Sequence, residues 1–184
     1  MENTIQLHDK KFRIMIPAEQ IDKAVDAVAQ RINADYAGKE TPLFLGILNG
    51  SFMFMAELMQ RITLDCEASF VKIASYRGTA STGKVHELIG LSADIRGRHV
   101  VIVEDIIDSG LTMQYLRQLF GARNPASITT ISFLDKATRH PESYKTDMCG
   151  FEIPDEFVVG YGLDYANYYR NLPYIGVLKP ECYQ

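Results

Sequence analysis

The chain has 184 residues, 47% of them hydrophobic and 23% charged, and a formal net charge of −4. That length suits one domain with a sizeable core, and the balance is that of a soluble globular protein. The charge and the lack of a dense Lys/Arg run speak against nucleic-acid or membrane-surface partners, the apolar runs are too short to span a bilayer, and the start shows no basic-then-apolar leader. Residues 12–16 alternate well enough for a short strand that Pro17 ends. Ile21, Ala24, Val25, Val28 and Ile32 mark one face of a helix that stops near Gly38. Residues 43–48 are nearly all apolar, as in a central strand, and Asn49-Gly50-Ser51 breaks them. A helix is predicted over 52–59, with Phe52, Met55, Ala56 and Met59 facing the core.

Residues 68–75 and 85–91 read as two strands of a hairpin, and the polar, glycine-rich stretch 76–84 as its long mobile tip. Residues 99–103, His-Val-Val-Ile-Val, read as a strand buried on both faces, and a helix comes next over 113–122. Strands are further predicted at 128–134, 157–162 and 174–178, with 139–145 as loop. The alternation of strand and helix gives an α/β fold with a mainly parallel twisted sheet flanked by helices, and no repeat or linker divides residues 1–184. Cys66, Cys149 and Cys182 form no C-x-x-C pair, and His8, His86, His99 and His140 fit no metal motif. A cytoplasmic location is the default expectation.

The densest chemistry lies at 99–112. Glu104 and Asp105 come after the apolar strand, then two isoleucines, then Asp108-Ser109-Gly110-Leu111-Thr112 at the start of a helix. Ligands of open α/β sheets bind at the carboxyl ends of the strands, and N–H groups at a helix N-terminus favour phosphate. The bland alternative is a strand with solvated acids and an N-cap in Asp108 or Ser109. The clustering favours a phosphorylated sugar. Glu104 and Asp105 can accept from vicinal ribose hydroxyls, and Ser109, Thr112 and the amides of 108–112 can wrap one phosphate. Asp108 then stands between the sugar and phosphate ends, placed to act as a base. A competing P-loop reading of Gly78-Thr79-Ala80-Ser81-Thr82-Gly83-Lys84 fails twice. Val85 replaces the metal-binding hydroxyl, and residues 85–91 read as strand where a P-loop must open a helix.

Val103-Glu104-Asp105-Ile106-Ile107-Asp108-Ser109-Gly110-Leu111-Thr112 resembles the motif that binds phosphoribosyl pyrophosphate in type I phosphoribosyltransferases. With Phe157-Val158-Val159-Gly160-Tyr161-Gly162-Leu163-Asp164-Tyr165 downstream, the resemblance is to the hypoxanthine-guanine branch of that family, and it covers about residues 14–175. It implies the type I fold, with a small hood made from the terminal segments. It also implies transfer of a phosphoribosyl group to a 6-oxopurine with Mg²⁺, in purine salvage, by a homo-oligomer, dimer or tetramer. Residue by residue, it implies that Glu104 and Asp105 hold the ribose hydroxyls and, with Asp164, the metal, and that 108–112 bind the 5′-phosphate. Asp108 handles the N7 proton, Lys136 donates to the 6-oxo group, Phe157 stacks on the purine, and Val158 and Asp164 meet its edge. Asn49, Gly50 and Arg170 bind pyrophosphate, on a turn where the family often has a cis peptide, and Ser75-Tyr76 opens a flexible loop over the reaction centre. Asn49 stands where a basic residue is frequent in the family, and Leu111 where some members carry lysine. A regulator of the same fold that binds nucleic acid is the rival of a different class; the net negative charge and the complete set of candidate residues oppose it.

Overall fold

Two kinds of sequence build this chain, continuous β-branched runs and amphipathic helices, and they alternate. The computed structural model describes residues 4–7, 10–75, 85–91 and 93–178. Its elements are β1 (Thr4–Leu7), β2 (Lys10–Ile16), α1 (Ala18–Asp35), β3 (Leu43–Leu48), α2 (Phe52–Met59), β4 (Glu67–Ser75) and β5 (Val85–Ile89). They continue with β6 (His99–Ile107), α3 (Leu111–Gly121), β7 (Ser127–Asp135), β8 (Met148–Glu152), β9 (Val158–Val159) and β10 (Ile175–Leu178). The main sheet runs β5-β4-β3-β6-β7-β8, with β4, β3, β6, β7 and β8 parallel and β5 antiparallel at one edge. The chain ends pair with each other in a second, antiparallel sheet of order β1-β2-β10-β9.

The central position of β6 is a consequence of its sequence. Its side chains alternate between two apolar layers. Val101 and Val103 pack with Val25, Ile32 and Phe54 below α1 and α2, while Val100 and Ile102 pack with Leu116 and Phe120 below α3. Each of these buried apolar side chains contributes about 1.5–3 kcal/mol. Side chains at 105 and 104 continue the two faces, so the acids leave the sheet on opposite sides.

Several predicted features differ. Strand β6 does not stop at Val103 but runs to Ile107, so Glu104 and Asp105 lie within it, because β7 goes on pairing with it up to Asp135. The buried face of α2 is Phe54, Met55 and Leu58; Phe52 and Ala56 are exposed. This helix is apolar nearly all round, so period alone could not choose the face. Strands β1 and β8 were not predicted, the 157–162 strand shrinks to Val158–Val159, and 139–145 contains turns of 3-10 helix at Ala137–Arg139 and Glu142–Tyr144. After the P-loop-like residues comes strand β5, which removes that reading; residues 76–84, the expected loop tip, lie outside the described residues. The Leu48–Asn49 peptide is cis. Among the described residues no helix is long and apolar enough to cross a membrane.

Candidate active site

The carboxyl ends of β3, β6 and β7 and the segment after β9 lie together: Gly50 abuts Asp105, Gly162 abuts Gly50, and the Lys136 N–H bonds to the Ile107 carbonyl. The N-terminus of α3 follows directly on the end of β6. Gly110 is the N-cap, with φ +74° and no side-chain capping bond, so neither Asp108 nor Ser109 caps the helix. Glycine is needed there twice over: the left-handed backbone disfavours a side chain, and a Cβ would lie 2.7 Å from the Tyr144 ring. Asp108 and Ser109 are exposed, Thr112 is half-buried, and Leu111 points outward at 60% exposure. The first N–H groups of α3 have no partner within the helix, so they suit a phosphate.

The acids on β6 sit deeper. Glu104 is buried, and its Oε2 has no hydrogen-bond partner among the described residues. Burial drives this carboxyl well above the usual range, and the charge of Asp105 adds to the effect. Burial also pushes Asp105 up to about 6, against the lowering effect of the Ile106 N–H and the Arg170 guanidinium. Asp105 faces Gly50: a Cβ there would fall 1.4 Å from Asp105 Oδ2. Gly162, at φ +99°, lies against the carbonyl of Gly50 in turn, where a Cβ would be 1.9 Å from that oxygen. Arg170 completes the group. Its Nη1 donates to the Gly162 carbonyl at 2.6 Å and its Nη2 pairs with Asp164 Oδ1 at 2.7 Å. The other oxygen of Asp164 accepts the Asn167 N–H at 2.7 Å. Asp105, Gly50, Asp164 and Arg170, apart by more than a hundred residues at the extremes, thus form one cluster, while the Asn49 side chain is exposed.

On the opposite wall the backbone N–H of Lys136 donates to the Ile107 carbonyl at 2.9 Å, which ties the lysine to the end of β6. Its side chain is 11% exposed, and its ammonium lies 3.3 Å from Asp155 Oδ1 and 3.9 Å from Asp108 Oδ1. Phe157 is 38% exposed and meets Tyr165 edge-on at 5.9 Å, and Val158 beside it is buried. Ser75 ends β4 opposite Val85, and Tyr76 lies outside the described residues. Sequence reasoning missed Arg139, whose guanidinium reaches both Asp108 and Asp155, and Asp155 itself. The signal that could have found Arg139 was its spacing: one turn of 3-10 helix brings residues three apart to the same side, as with Lys136 and Arg139.

Glu104, with its buried unpartnered oxygen, and Asp105, on the other face of β6 beside Gly50, each suit a cation or a hydroxyl donor. No three His, Cys, Asp or Glu among the described residues gather into a group that could hold a metal alone. Mg²⁺ is commonly held by one or two carboxylates together with substrate phosphates and water, which is what this donor set offers. Glu104→Gln is expected to stabilise the ligand-free protein by about 1–3 kcal/mol, since it replaces a carboxyl whose ionisation burial opposes with a neutral group of the same shape. The raised carboxyl sets the sign. Its stabilising contribution is complete below the unfolded value of about 4.3 and is lost as pH rises through the folded value. Thermal melts at pH 5 and pH 8 will therefore show the gap between variant and wild type widening at the higher pH.

Comparison with known proteins gives a consistent picture. Residues 17–166 match the phosphoribosyl transferase domain family. The chain is 45% identical over 174 residues to a hypoxanthine-guanine phosphoribosyltransferase of Bacillus subtilis, covering 94% of this chain and 96% of that one. Its fold is similar to a crystal structure of a hypoxanthine phosphoribosyltransferase from Staphylococcus aureus, with TM-score 0.88, 40% identity and 94% of each chain covered. It is equally similar to the Trypanosoma cruzi hypoxanthine phosphoribosyltransferase in complex with the product IMP, with TM-score 0.89, 37% identity, and 97% of this chain and 100% of that one covered.

Proposed function

The chain belongs to the phosphoribosyl transferase family, and from that premise we propose how its residues divide the work of moving a 5-phosphoribosyl group from phosphoribosyl pyrophosphate to hypoxanthine and guanine. It is a glycosyl-transferring enzyme of purine salvage that forms IMP or GMP and pyrophosphate. The observation that carries the assignment of the base site is the pairing of Asp108 and Lys136, a carboxylate and an ammonium 3.9 Å apart just past the ends of the neighbouring strands β6 and β7. A 6-oxopurine presents N7 and O6 side by side on one edge. A carboxylate that takes a proton from N7 beside an ammonium that donates to O6 matches that edge. Adenine, which offers a donor at its 6-position, meets a group that can only donate.

In the reaction purine N9 bonds to C1 of the ribose and the bond from C1 to the pyrophosphate oxygen breaks. The leaving pyrophosphate takes the electron pair, and Asp108 takes the proton from N7. Glu104 and Asp105 accept from the ribose hydroxyls; Ser109, Thr112 and the amides of 108–112 hold the 5′-phosphate. Phe157 stacks on the base, and Val158 and Asp164 meet its edge. The amide of Gly50, the Asn49 turn and Arg170 receive the pyrophosphate. Glu104, Asp105 and Asp164 would hold Mg²⁺ with oxygens of the substrate, and the ion supplies charge neutralisation for the leaving group. The loop opened by Ser75 and Tyr76 excludes water from the reaction centre. Residues 1–184 act as one domain in the cytoplasm, in a dimer or tetramer.

Initial rates with four bases test this. Hypoxanthine and guanine are expected to release pyrophosphate in the presence of Mg²⁺ at least about 100-fold faster than adenine, the discrimination expected when a wrong base leaves a buried donor facing a donor. Turnover of adenine with none of hypoxanthine would remove Lys136 from base recognition.

A further inference from the structure

Four side chains between the purine wall and the phosphate turn form a ring of alternating charge. Arg139 Nε donates to Asp108 Oδ1 at 3.0 Å, and Arg139 Nη1 donates to Asp155 Oδ2 at 3.2 Å. Lys136 Nζ donates to the other oxygen of Asp155 at 3.3 Å and lies 3.9 Å from Asp108 Oδ1. Lys136 and Asp108 have parts in the reaction. Arg139 and Asp155 have none so far, although the ring closes only through them.

The root of this ring is rigid. The Arg139 N–H donates to the Lys136 carbonyl at 2.8 Å, closing the turn that carries both cations. The next side chain, His140, is 2% exposed, and its Nε2 bonds to Asp135 Oδ1, buried at the end of β7, at 2.6 Å. Its Nδ1 lies 3.1 Å from the Pro141 carbonyl. Both ring nitrogens face oxygen atoms, so the imidazole is held from two sides. Burial works against a charge on the ring, but the bond to Asp135, the Pro141 carbonyl and the charges of Asp135 and Glu142 outweigh it and hold the imidazole above its usual range. The buried pair clamps both ends of the segment from which Lys136 and Arg139 reach.

The side chain of Asp108 is half exposed, and among the described residues its partners are Lys136 and Arg139, outside its own turn. A guanidinium is suited to fix it, because its planar fork can bond two carboxylates at once, whereas an ammonium is a point charge. We propose that Arg139 is a positioning residue for phosphoribosyl transfer: bridged between Asp108 and Asp155, its guanidinium holds the Asp108 carboxylate at the angle that meets purine N7. This rests on the reading of Asp108 as the proton-handling group. Misplacing a reacting group by about 1 Å costs up to about 100-fold in rate, so the role is one of rate more than of binding.

The test compares Arg139→Ala, Arg139→Lys, Asp108→Asn and the unaltered protein, with kcat and KM for hypoxanthine and phosphoribosyl pyrophosphate. Arg139→Ala is expected to lose about 10- to 100-fold in kcat while both KM values stay within about threefold. Added ethylguanidinium restores much of the loss, ethylammonium at the same concentration does not, and Arg139→Lys falls between. A kcat of Arg139→Ala within about twofold of the unaltered enzyme, a loss carried by KM, or equal rescue by the two cations overturns the proposal. Asp108→Asn separates the two levels of the inference. If it loses kcat while Arg139→Ala does not, only the role of Arg139 falls. If it keeps full kcat, the role of Asp108 falls and that of Arg139 with it.

Discussion

Asp108→Asn is expected to lower kcat by about 10²- to 10⁴-fold, the range over which a positioned general base contributes. Asparagine keeps the shape of the side chain and can still meet Arg139 with its carbonyl oxygen, but it takes no proton from purine N7. Its backbone amide stays in the phosphate turn, which Gly110 shapes through its left-handed backbone without help from the Asp108 side chain. The KM for phosphoribosyl pyrophosphate is therefore expected to stay within about threefold, because an interaction made only in the transition state lowers kcat and leaves ground-state binding alone. Steady-state kinetics over both substrates checks this. A rise in that KM as large as the fall in kcat would show that Asp108 orders the sugar pyrophosphate and does not move the proton.

Gly162→Ala is expected to cost more than about 3 kcal/mol, or about 6–12 °C in Tm for a chain of this size, and to remove activity. Its φ of +99° is a conformation that L side chains rarely adopt, and a Cβ would stand 1.9 Å from the Gly50 carbonyl oxygen. That neighbour is backbone and cannot turn away. Moving it shifts Gly50 against Asp105, and moving Gly162 displaces Arg170, bonded to it through both the 162 carbonyl and the 162 N–H. Gly121→Ala is the matched control. It lies in the last turn of α3 with nothing within 4 Å of a Cβ, so alanine there is expected to be neutral or to stabilise by up to about 1 kcal/mol. Thermal melts of the two variants with and without GMP separate a general glycine effect from the specific one. Equal, small shifts for both would mean that the 50–162 contact does not shape the site.

Much of this was legible in the sequence, for a local reason. A strand buried on both faces must be apolar throughout, so β3, β6 and β7 declared themselves, and the change from that pattern to three- and four-residue spacing after Gly110 marked a strand-to-helix turn at the ligand-binding edge of the sheet. The acids, the hydroxyls and Gly110 lie in one unbroken stretch, so adjacency in the chain carried their adjacency in space. By contrast, Met-Cys-Gly-Phe-Glu of β8 shows neither alternation nor a long apolar run, and only its pairing with β7 makes it a strand. The face of α2 escaped for a related reason, since Phe52 and Phe54 are equally apolar and packing alone chose Phe54.

By itself, then, the sequence determined the α/β class, the order of the strands' hydrophobic runs and the strand-to-helix turn that carries the acids and hydroxyls, because each depends on side-chain chemistry within about ten residues. Its resemblance to the phosphoribosyltransferases added Lys136, Phe157, Asp164 and Arg170 as isolated positions. Only the tertiary structure decided what these positions do to one another. It buried Glu104 without a partner, set Gly50 between Asp105 and Gly162, and closed Asp108, Arg139, Asp155 and Lys136 into a ring. Desolvation, close backbone approach and charge pairing are properties of distances across the chain, and no local pattern of residues encodes them.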